Sequence, residues 1–251
     1  MTPRYRVLYR PGGPALEYNP WGLNHAIGCP HACIYCYGPG QFHMKRQDFH
    51  RGIRIKDDIL AKVAADALLF MQYNPGEPVL LAFGTDPYAP GLAGHTHQVI
   101  KILTDHMIPV HVLTKGVMPM KDMELLARVP GSAVAVTITS LDEDLTDKWE
   151  PHAAYPSMRL GNLIRAQRYD LATWLSLEPV YDPDAAIGVI SCCAPFAHEI
   201  RVGKLSKPGA LPEWAKEQVK DIEWAKFRDD AVALLEARSC RYQIKESLLN
   251  A

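Results

Sequence analysis

The sequence contains no long apolar run and no excess of either charge. Its 251 residues carry 27 Lys and Arg against 28 Asp and Glu, a formal net charge of −1. That balance excludes a globally basic nucleic-acid binder while leaving local basic patches open. No segment is long and apolar enough to cross a bilayer, so no membrane association is expected. Arg4, Arg6 and Arg10 stand near the N-terminus without the apolar stretch that a signal peptide places behind its charges, so a reducing, cytoplasmic compartment is expected. Cysteine is scarce, at six residues. In such a compartment the clustered ones point to metal or redox chemistry rather than to disulfides. Fixed-period repeats and low-complexity tracts are also missing. With 48% hydrophobic and 22% charged residues, the composition is that of a globular protein with one large domain or two small ones.

What is present is an alternation of short apolar runs with helical patterns. Runs at 23–27, 79–83, 110–113, 134–139, 171–177 and 199–202 predict six strands, of which the first is weak and the β-branched 134–139 the clearest. Helices are predicted over 56–71, 94–106, 119–128 and 157–168, at most a short one over 184–190, and a long amphipathic one over 213–237. Strands that each lead into a helix or crossover suit a parallel sheet covered on both faces. Length alone does not separate a doubly wound sheet from a barrel. The polar clusters do, because they follow nearly every strand: 29–36, 84–88, 114–116, 140–142 and 178–182. A barrel gathers its chemistry at the C-terminal ends of most strands, whereas an open sheet favours one crevice. The expected fold is α/β, a partial (β/α)6 TIM-like barrel open on one side. It would span residues 19–205, with an N-terminal extension over 1–18 and a helical segment, 206–251, packed on it.

The densest chemistry is the segment NHAIGCPHACIYCYGPG, residues 24–40. Cys29, Cys33 and Cys36 lie within eight residues. Thiolates are soft ligands, and closely spaced ones can hold several irons of one cluster. Three protein ligands leave one iron of a four-iron cluster open to chelate a cofactor. Gly28, Pro30, Gly38 and Pro39 keep the segment out of helix and allow a tight wrap. Zinc is the competing reading, with His25, His31 or His43 as fourth ligand. Three metal-free buried cysteines are a third reading, to which Pro30 and His31 are poorly suited as core neighbours.

The spacing resembles the CxxxCxΦC motif of the radical S-adenosylmethionine superfamily, with Tyr35 in the aromatic position. Further stretches resemble its spore photoproduct lyase branch: Asn24 and Gly28-Cys29, Tyr35-Cys36-Tyr37, Gly84-Thr85-Asp86-Pro87-Tyr88, Leu113-Thr114-Lys115, Glu150-Pro151 and Arg159-Leu160. The likeness covers roughly residues 19–205 in that family's order. It implies a [4Fe–4S] cluster on Cys29, Cys33 and Cys36, with S-adenosylmethionine cleaved reductively to a 5′-deoxyadenosyl radical. It also implies a one-electron donor such as flavodoxin or ferredoxin. By position, Tyr35, Gly84, Thr85 and Asp86 would meet the cofactor, Asp86 at the methionine ammonium. Thr139 and Ser140 would meet its ribose or carboxylate, with Glu150 at the ribose hydroxyls and Arg159 at the methionine carboxylate. Without the resemblance, Gly-Thr-Asp-Pro is turn chemistry in any loop and Glu150 with Arg159 a surface ion pair.

The resemblance implies a nucleotide or DNA-base substrate. In the lyase a cysteine after the third strand returns hydrogen to the substrate radical, but here that place holds Thr114-Lys115-Gly116. The expectation therefore shifts from lesion repair toward rearrangement of an amino-acid-like group on a modified thymine, with lesion repair as the alternative. A non-catalytic iron–sulfur or zinc nucleic-acid-binding protein is the reading from a different class. Cys192, Cys193 and Tyr181 are candidate hydrogen donors, although buried free thiols are commonly structural. Glu178, Lys115 and Lys204 follow strands and could meet substrate, and Tyr242 and Lys245 could close the barrel's open side. Lys45, Arg46, Arg51, Arg54 and Lys56, interleaved with Phe42 and Phe49, could grip phosphates and stack on bases or be an ordinary solvated loop.

Overall fold

In the computed structural model, which describes residues 4–250, strand β1 (Leu8–Tyr9) pairs antiparallel with β2 (Trp21–Leu23). After β2 the chain makes an excursion through β3 (Ala26–Ile27), α1 (Gly38–Gln41), α2 (Arg46–His50) and β4 (Arg54–Ile55), with β3 and β4 paired as a separate antiparallel ribbon. Regular alternation follows: α3 (Ile59–Tyr73), β5 (Val79–Leu81), α4 (Ala93–Asp105), β6 (Val110–Thr114), α5 (Met120–Ala127) and β7 (Ala133–Thr137). Then come α6 (Glu143–Trp149), α7 (Pro156–Gln167), β8 (Ala172–Val180), α8 (Pro183–Cys193) and β9 (Glu199–Lys204). The C-terminal segment adds α9 (Glu213–Val219), α10 (Trp224–Ala237), β10 (Arg241–Ile244) and α11 (Glu246–Leu249). The main sheet runs β1-β2-β5-β6-β7-β8-β9-β10, and every pair from β2 onward is parallel. This is the partial barrel expected, left open between β1 and β10.

Alternation of side chains gives each strand an outer and an inner face, and the outer face is shared along the sheet between two cores. Val79, Leu81, Val110, Val112 and Val134 pack beneath α3, α4 and α5 with Val63, Phe70, Leu103 and Met123. Val136, Leu175, Leu177, Ile200 and Val202 pack with Leu163, Val189 and Phe227 of α7, α8 and α10. The intervening residues Leu80, Ala135 and Trp174 form a smaller cluster with Tyr18, Phe83 and Leu113. Two residues further along these same rows stand Lys115, Thr137 and Ser176, then Thr139 and Glu178. The inner face is thus apolar low in the sheet and polar where the strands end.

The structure corrects four local expectations. The run at 23–27 divides between β2 and β3, which belong to different sheets. The segment 184–190 is the core of a full helix, α8, whose N-terminus is capped by Asp182 accepting from Ala185 N at 2.9 Å. The long helix expected over 213–237 is two helices. Ala215 and Val219 pack toward Trp149 and Leu211, whereas Phe227, Ala231 and Leu235 join the core under α8. One straight helix cannot serve both, and helix stability in proteins comes mainly from such packing. Finally, residues 206–251 are not only helical: β10 extends the sheet as a seventh parallel strand. Its sequence, RYQI, has little apolar signal because an edge strand is held chiefly by backbone pairing.

The segment between β1 and β2 crosses to the far edge of the sheet. Lys245 Nζ donates to Pro14 O at 3.3 Å, Glu246 N donates to Glu17 Oε2 at 3.2 Å, and Arg201 Nη1 donates to Tyr18 O at 3.0 Å. Residues 13–18, expected as an extension, therefore strap the open side. Lys245, 1% exposed, has its ammonium 3.7 Å from the centre of the Tyr18 ring, 3.8 Å from Glu17 and 4.0 Å from Glu178. Tyr242 does not share this task, since its hydroxyl donates to Glu236 of α10. Burial raises the Glu178 carboxyl above the usual range and lowers the Lys245 ammonium, each opposed by the attraction of the other. Replacing Lys245 by Met is expected to lower unfolding free energy by about 1–3 kcal/mol, less than for a tight buried pair because the separations are long and Glu178 keeps some water. Urea denaturation of the full chain measures this, and an unchanged midpoint would show that the strap is held without Lys245.

Candidate active site

The cysteine loop hangs from the β3–β4 ribbon. Gly28 at its entrance has φ of +96°, and a Cβ there would strike the carbonyl oxygen of Gly52, so only glycine fits. Backbone bonds fix the loop: Cys29 N donates to Phe49 O at 3.1 Å, Ile34 N to Trp149 O at 2.8 Å, and His152 N to His31 O at 3.2 Å. The Arg46 guanidinium donates to the carbonyls of Cys33 and Ile34, and His50 Nδ1 lies 2.8 Å from Cys29 O. The thiols are left free, with Cys33 buried and Cys29 and Cys36 half-buried. Burial pushes the Cys29 thiol up to about 12 and Cys33 further still. Among the described residues, no three Cys, His, Asp or Glu side chains gather as one metal ion would require. Thiolates that each bind a different iron of a cluster do not have to converge on one point. His25 is bonded through Nε2 to Thr96 at 2.9 Å, and His43 is exposed.

Beside the loop, Glu150 and Arg159 form an ion pair with no exposed side-chain surface. The carboxylate accepts from the Tyr35 hydroxyl, and Arg159 donates to Ala154 O at 2.5 Å and Thr137 O at 3.0 Å. These are not surface residues, and they meet each other before they could meet a ligand. Thr139 Oγ1 donates to the Tyr181 hydroxyl at 2.9 Å. Tyr181 is 1% exposed and stacks face to face on Trp149, with centroids 4.2 Å apart and planes 2° apart. Lys115 reaches the same place, its ammonium 5.5 Å from the centre of the Tyr35 ring. Burial opposes the Glu150 charge, but Arg159, Lys115 and the Tyr35 hydroxyl outweigh it and hold the carboxyl below its ordinary range.

The Gly84–Tyr88 loop closes the other side. Asn24 Oδ1 accepts from Phe83 N and Gly84 N at 3.0 and 2.9 Å, and a Cβ on Gly84 would collide with the Phe42 ring. Thr85 is tied to Ala26 O at 3.1 Å. Asp86 accepts from Thr114 Oγ1 and Lys115 N, each at 2.6 Å, and from Tyr88 N at 2.9 Å. It thereby joins the loops after β5 and β6, with His31 Nδ1 3.6 Å away, beyond hydrogen-bond reach. Ser140 is buried and caps locally, accepting from Asp142 N at 3.0 Å.

Several expected residues lie elsewhere. Cys192 and Cys193 end α8 on the outer layer; Cys193 is packed with Phe227 and Leu235, and Cys192 faces solvent. Neither stands at the strand ends, which corrects their assignment as hydrogen donors. The base-stacking role of the basic stretch is likewise corrected: Phe49 is fully buried and stacks on Phe42, Arg46 is bound to the cysteine loop, and Arg51 pairs with Asp48 at 3.0 Å. Trp149, Tyr18 and the strap were missed. Trp149 adjoins Glu150 in the chain and could have been found from that, whereas nothing local marks Tyr18.

The model of the Radical SAM superfamily matches residues 23–181, more than half of the chain. The chain belongs to that superfamily. This radical SAM protein is 27% identical over 174 residues to an uncharacterised protein, ORF301, of Acidianus two-tailed virus, covering 65% of this chain and 57% of that protein. It is 29% identical over 181 residues to an uncharacterised protein, Rv2578c, of Mycobacterium tuberculosis, covering 68% and 52%. It thus spans little more than half the length of the curated relatives it matches. In fold it is similar to spore photoproduct lyase complexed with dinucleoside spore photoproduct, with a TM-score of 0.67 at 14% identity over 91% of this chain and 76% of that one. It is also similar to Streptococcus suis SuiB bound to S-adenosylmethionine, with a TM-score of 0.62 at 12% identity over 89% and 49%.

The residues present fit the [4Fe–4S] cluster and S-adenosylmethionine that radical SAM proteins use. Three thiols, none in a disulfide, share a loop whose carbonyls are already bonded. Beside it, Arg159 Nη2 and His31 Nδ1 are buried without hydrogen-bond partners, and Glu150 Oε2 has only its ion pair. Such atoms are costly unless a ligand or water meets them.

Replacing Glu150 by Gln leaves Arg159 buried without its counter-charge and is expected to cost about 3–5 kcal/mol of stability. Because the Glu150 carboxyl titrates lower folded than unfolded, the stabilisation is complete above its ordinary value of 4.5 and is lost as pH falls through the folded value. Urea denaturation across pH 3–7 checks both: the wild type should weaken on acidification and the variant should lack that component.

Proposed function

We propose that this radical SAM enzyme abstracts hydrogen from a base in a nucleotide or nucleic-acid substrate. The observation that carries the reading is the continuous wall of Tyr35, Glu150, Thr139, Tyr181 and Trp149 between the three-cysteine loop and the ends of β7 and β8. When bound, the cluster and S-adenosylmethionine supply a carbon-centred radical able to take hydrogen from an unactivated carbon. Cys29, Cys33 and Cys36 would hold the cluster. Tyr35, Gly84, Thr85, Asp86, Thr139, Ser140, Glu150 and Arg159 would bind or position the cofactor, with Glu150 and Arg159 acting chiefly by holding Tyr35 and the strand ends. The apolar flank of Trp149 and Tyr181 excludes water, which reactive intermediates require.

A lesion-repair reaction like that of spore photoproduct lyase has the better support, since that fold neighbour binds a dinucleoside photoproduct. Rearrangement of an amino-acid-like group on thymine remains the finer alternative, without a residue here that singles out such a group. A peptide substrate is the second reading, because SuiB bound to precursor peptide SuiA is similar in fold, with a TM-score of 0.60. With a threonine and a lysine where the lyase branch has cysteine, we assign the return of a hydrogen atom to Tyr181, supported by its oxygen accepting from Thr139 while, among the described residues, its own hydrogen has no acceptor. The tyrosyl radical left behind would be restored by one electron from the reducing partner and a proton. Lys115 and Glu178 would orient substrate from the ends of β6 and β8. A flavodoxin- or ferredoxin-like protein would deliver the electron.

Protein purified without oxygen should carry about four irons per chain. With dithionite and S-adenosylmethionine it should release 5′-deoxyadenosine, and Cys33→Ala should abolish this along with most of the iron. Zinc in place of iron, or no 5′-deoxyadenosine from iron-loaded protein, would sink the reading. A panel of thymidine dinucleotide lesions, modified thymidines and peptides then separates the substrate classes. With the active substrate, Tyr181→Phe should lower product formation at least ~10-fold while 5′-deoxyadenosine still forms; unimpaired turnover would remove Tyr181 as donor.

A further inference from the structure

A cavity of about 380 Å³ opens where β9 ends, between Lys204, Leu205, Ser206 and Lys207 on one side and Val219 and Trp224 on the other. Its size is within the range of small-ligand sites. It is built by the break between α9 and α10, which places Trp224 at the start of the second helix. Leu205 lines it and also belongs to the cluster containing Trp149 and Tyr181, so one apolar side chain links this cavity to the wall of the active site.

The charges are distinctive. Among the described residues, neither Lys204 nor Lys207 lies within 4 Å of a carboxylate. Of the carboxylates on and after α9, Glu213 and Glu217 are paired with Lys216 and Lys220, Asp221 lies 4.0 Å from Lys220, and neither Asp221 nor Glu223 lines the cavity. Lys207 is held in the left-handed region, φ +57°, at the start of a short 3-10 turn. A lysine there is unusual, since that conformation favours Gly, Asn or Asp. Two uncompensated ammonium groups, a hydroxyl and an indole around one hollow suit an anion joined to an aromatic ring.

We propose that this cavity binds a nucleotide flanking the reacting one, with its base against Trp224 and its phosphodiester between Lys204 and Lys207 near the Ser206 hydroxyl. The inference rests on the nucleic-acid reading of the active site and extends it, making the substrate an oligonucleotide rather than a free nucleoside. An acidic peptide would satisfy the lysines but make no specific use of the indole, whereas every base has a face that stacks.

The test is anisotropy of fluorescein-labelled hexathymidylate with full-chain, iron-loaded protein, without reductant or S-adenosylmethionine, from 50 to 200 mM salt. Lys204→Gln with Lys207→Gln keeps the alkyl stems and removes both charges. It should weaken binding at 50 mM salt about tenfold and reduce the slope of log K against log salt by about 0.7, the value for the one phosphate the two lysines share. Trp224→Phe, which retains an aromatic face, should bind within about threefold of wild type, and Trp224→Leu clearly more weakly. No binding by wild type, an unchanged slope in the double variant, or a hexaglutamate peptide competing as well as hexathymidylate would each overturn the proposal. Because binding is read without turnover, failure to cleave S-adenosylmethionine would overturn the proposed reaction and not this subsite.

Discussion

Glu150 and Arg159 are opposite charges with no exposed surface, and the mouth of the barrel is assembled around them. Removing two charges from water is costly and is offset only when each finds close partners. Here those partners are Tyr35 from the cysteine loop and the carbonyls of Thr137 and Ala154 at the end of β7 and before α7. Because the requirement is electrostatic and unforgiving, three segments distant in sequence are held in one arrangement. Tyr35 is thereby fixed between Cys33 and Cys36, and the thiols are placed against the strand ends.

The same constraint explains why the inner face changes character along its length. Low in the sheet, Leu80, Ala135 and Trp174 need only fill space. Two residues later on the same strands, Thr137 and Ser176 meet a polar layer, and the next pair, Thr139 and Glu178, reaches hydroxyls and ammonium groups. Strand periodicity carries this gradient directly: one row of alternate residues forms both the packed floor and the reactive rim.

The incomplete barrel also has to manage its missing strands. Exposed strand edges invite unwanted pairing. The chain covers the gap with residues 13–18, anchored by Lys245 and Arg201. This strap brings Tyr18 into the interior, where its hydroxyl donates to Glu178. The open side of the barrel is therefore closed by segments near the two ends of the described chain, while its mouth is lined by strand ends.

The alternation of strands and helices, the three-cysteine segment and the polar groups after later strands could all be read from the chain alone. These are local signals: β-branched runs, helical periodicity, and a cysteine spacing that few other uses require. The two-sided apolar strands and the strand-end clusters were enough to read a partial barrel, whereas Glu150 and Arg159 were marked only by the family resemblance and Tyr181 only as one of three candidate hydrogen donors. Tertiary structure alone decided that Glu150 and Arg159 face each other, that Cys193 and Phe49 are packing residues, and that β10 and the strap complete the sheet. The physical reason is that these outcomes depend on pairings across long chain separations. A buried charge takes whichever counter-charge folding brings to it, and a polar edge strand takes its conformation from its neighbour rather than from its own side chains.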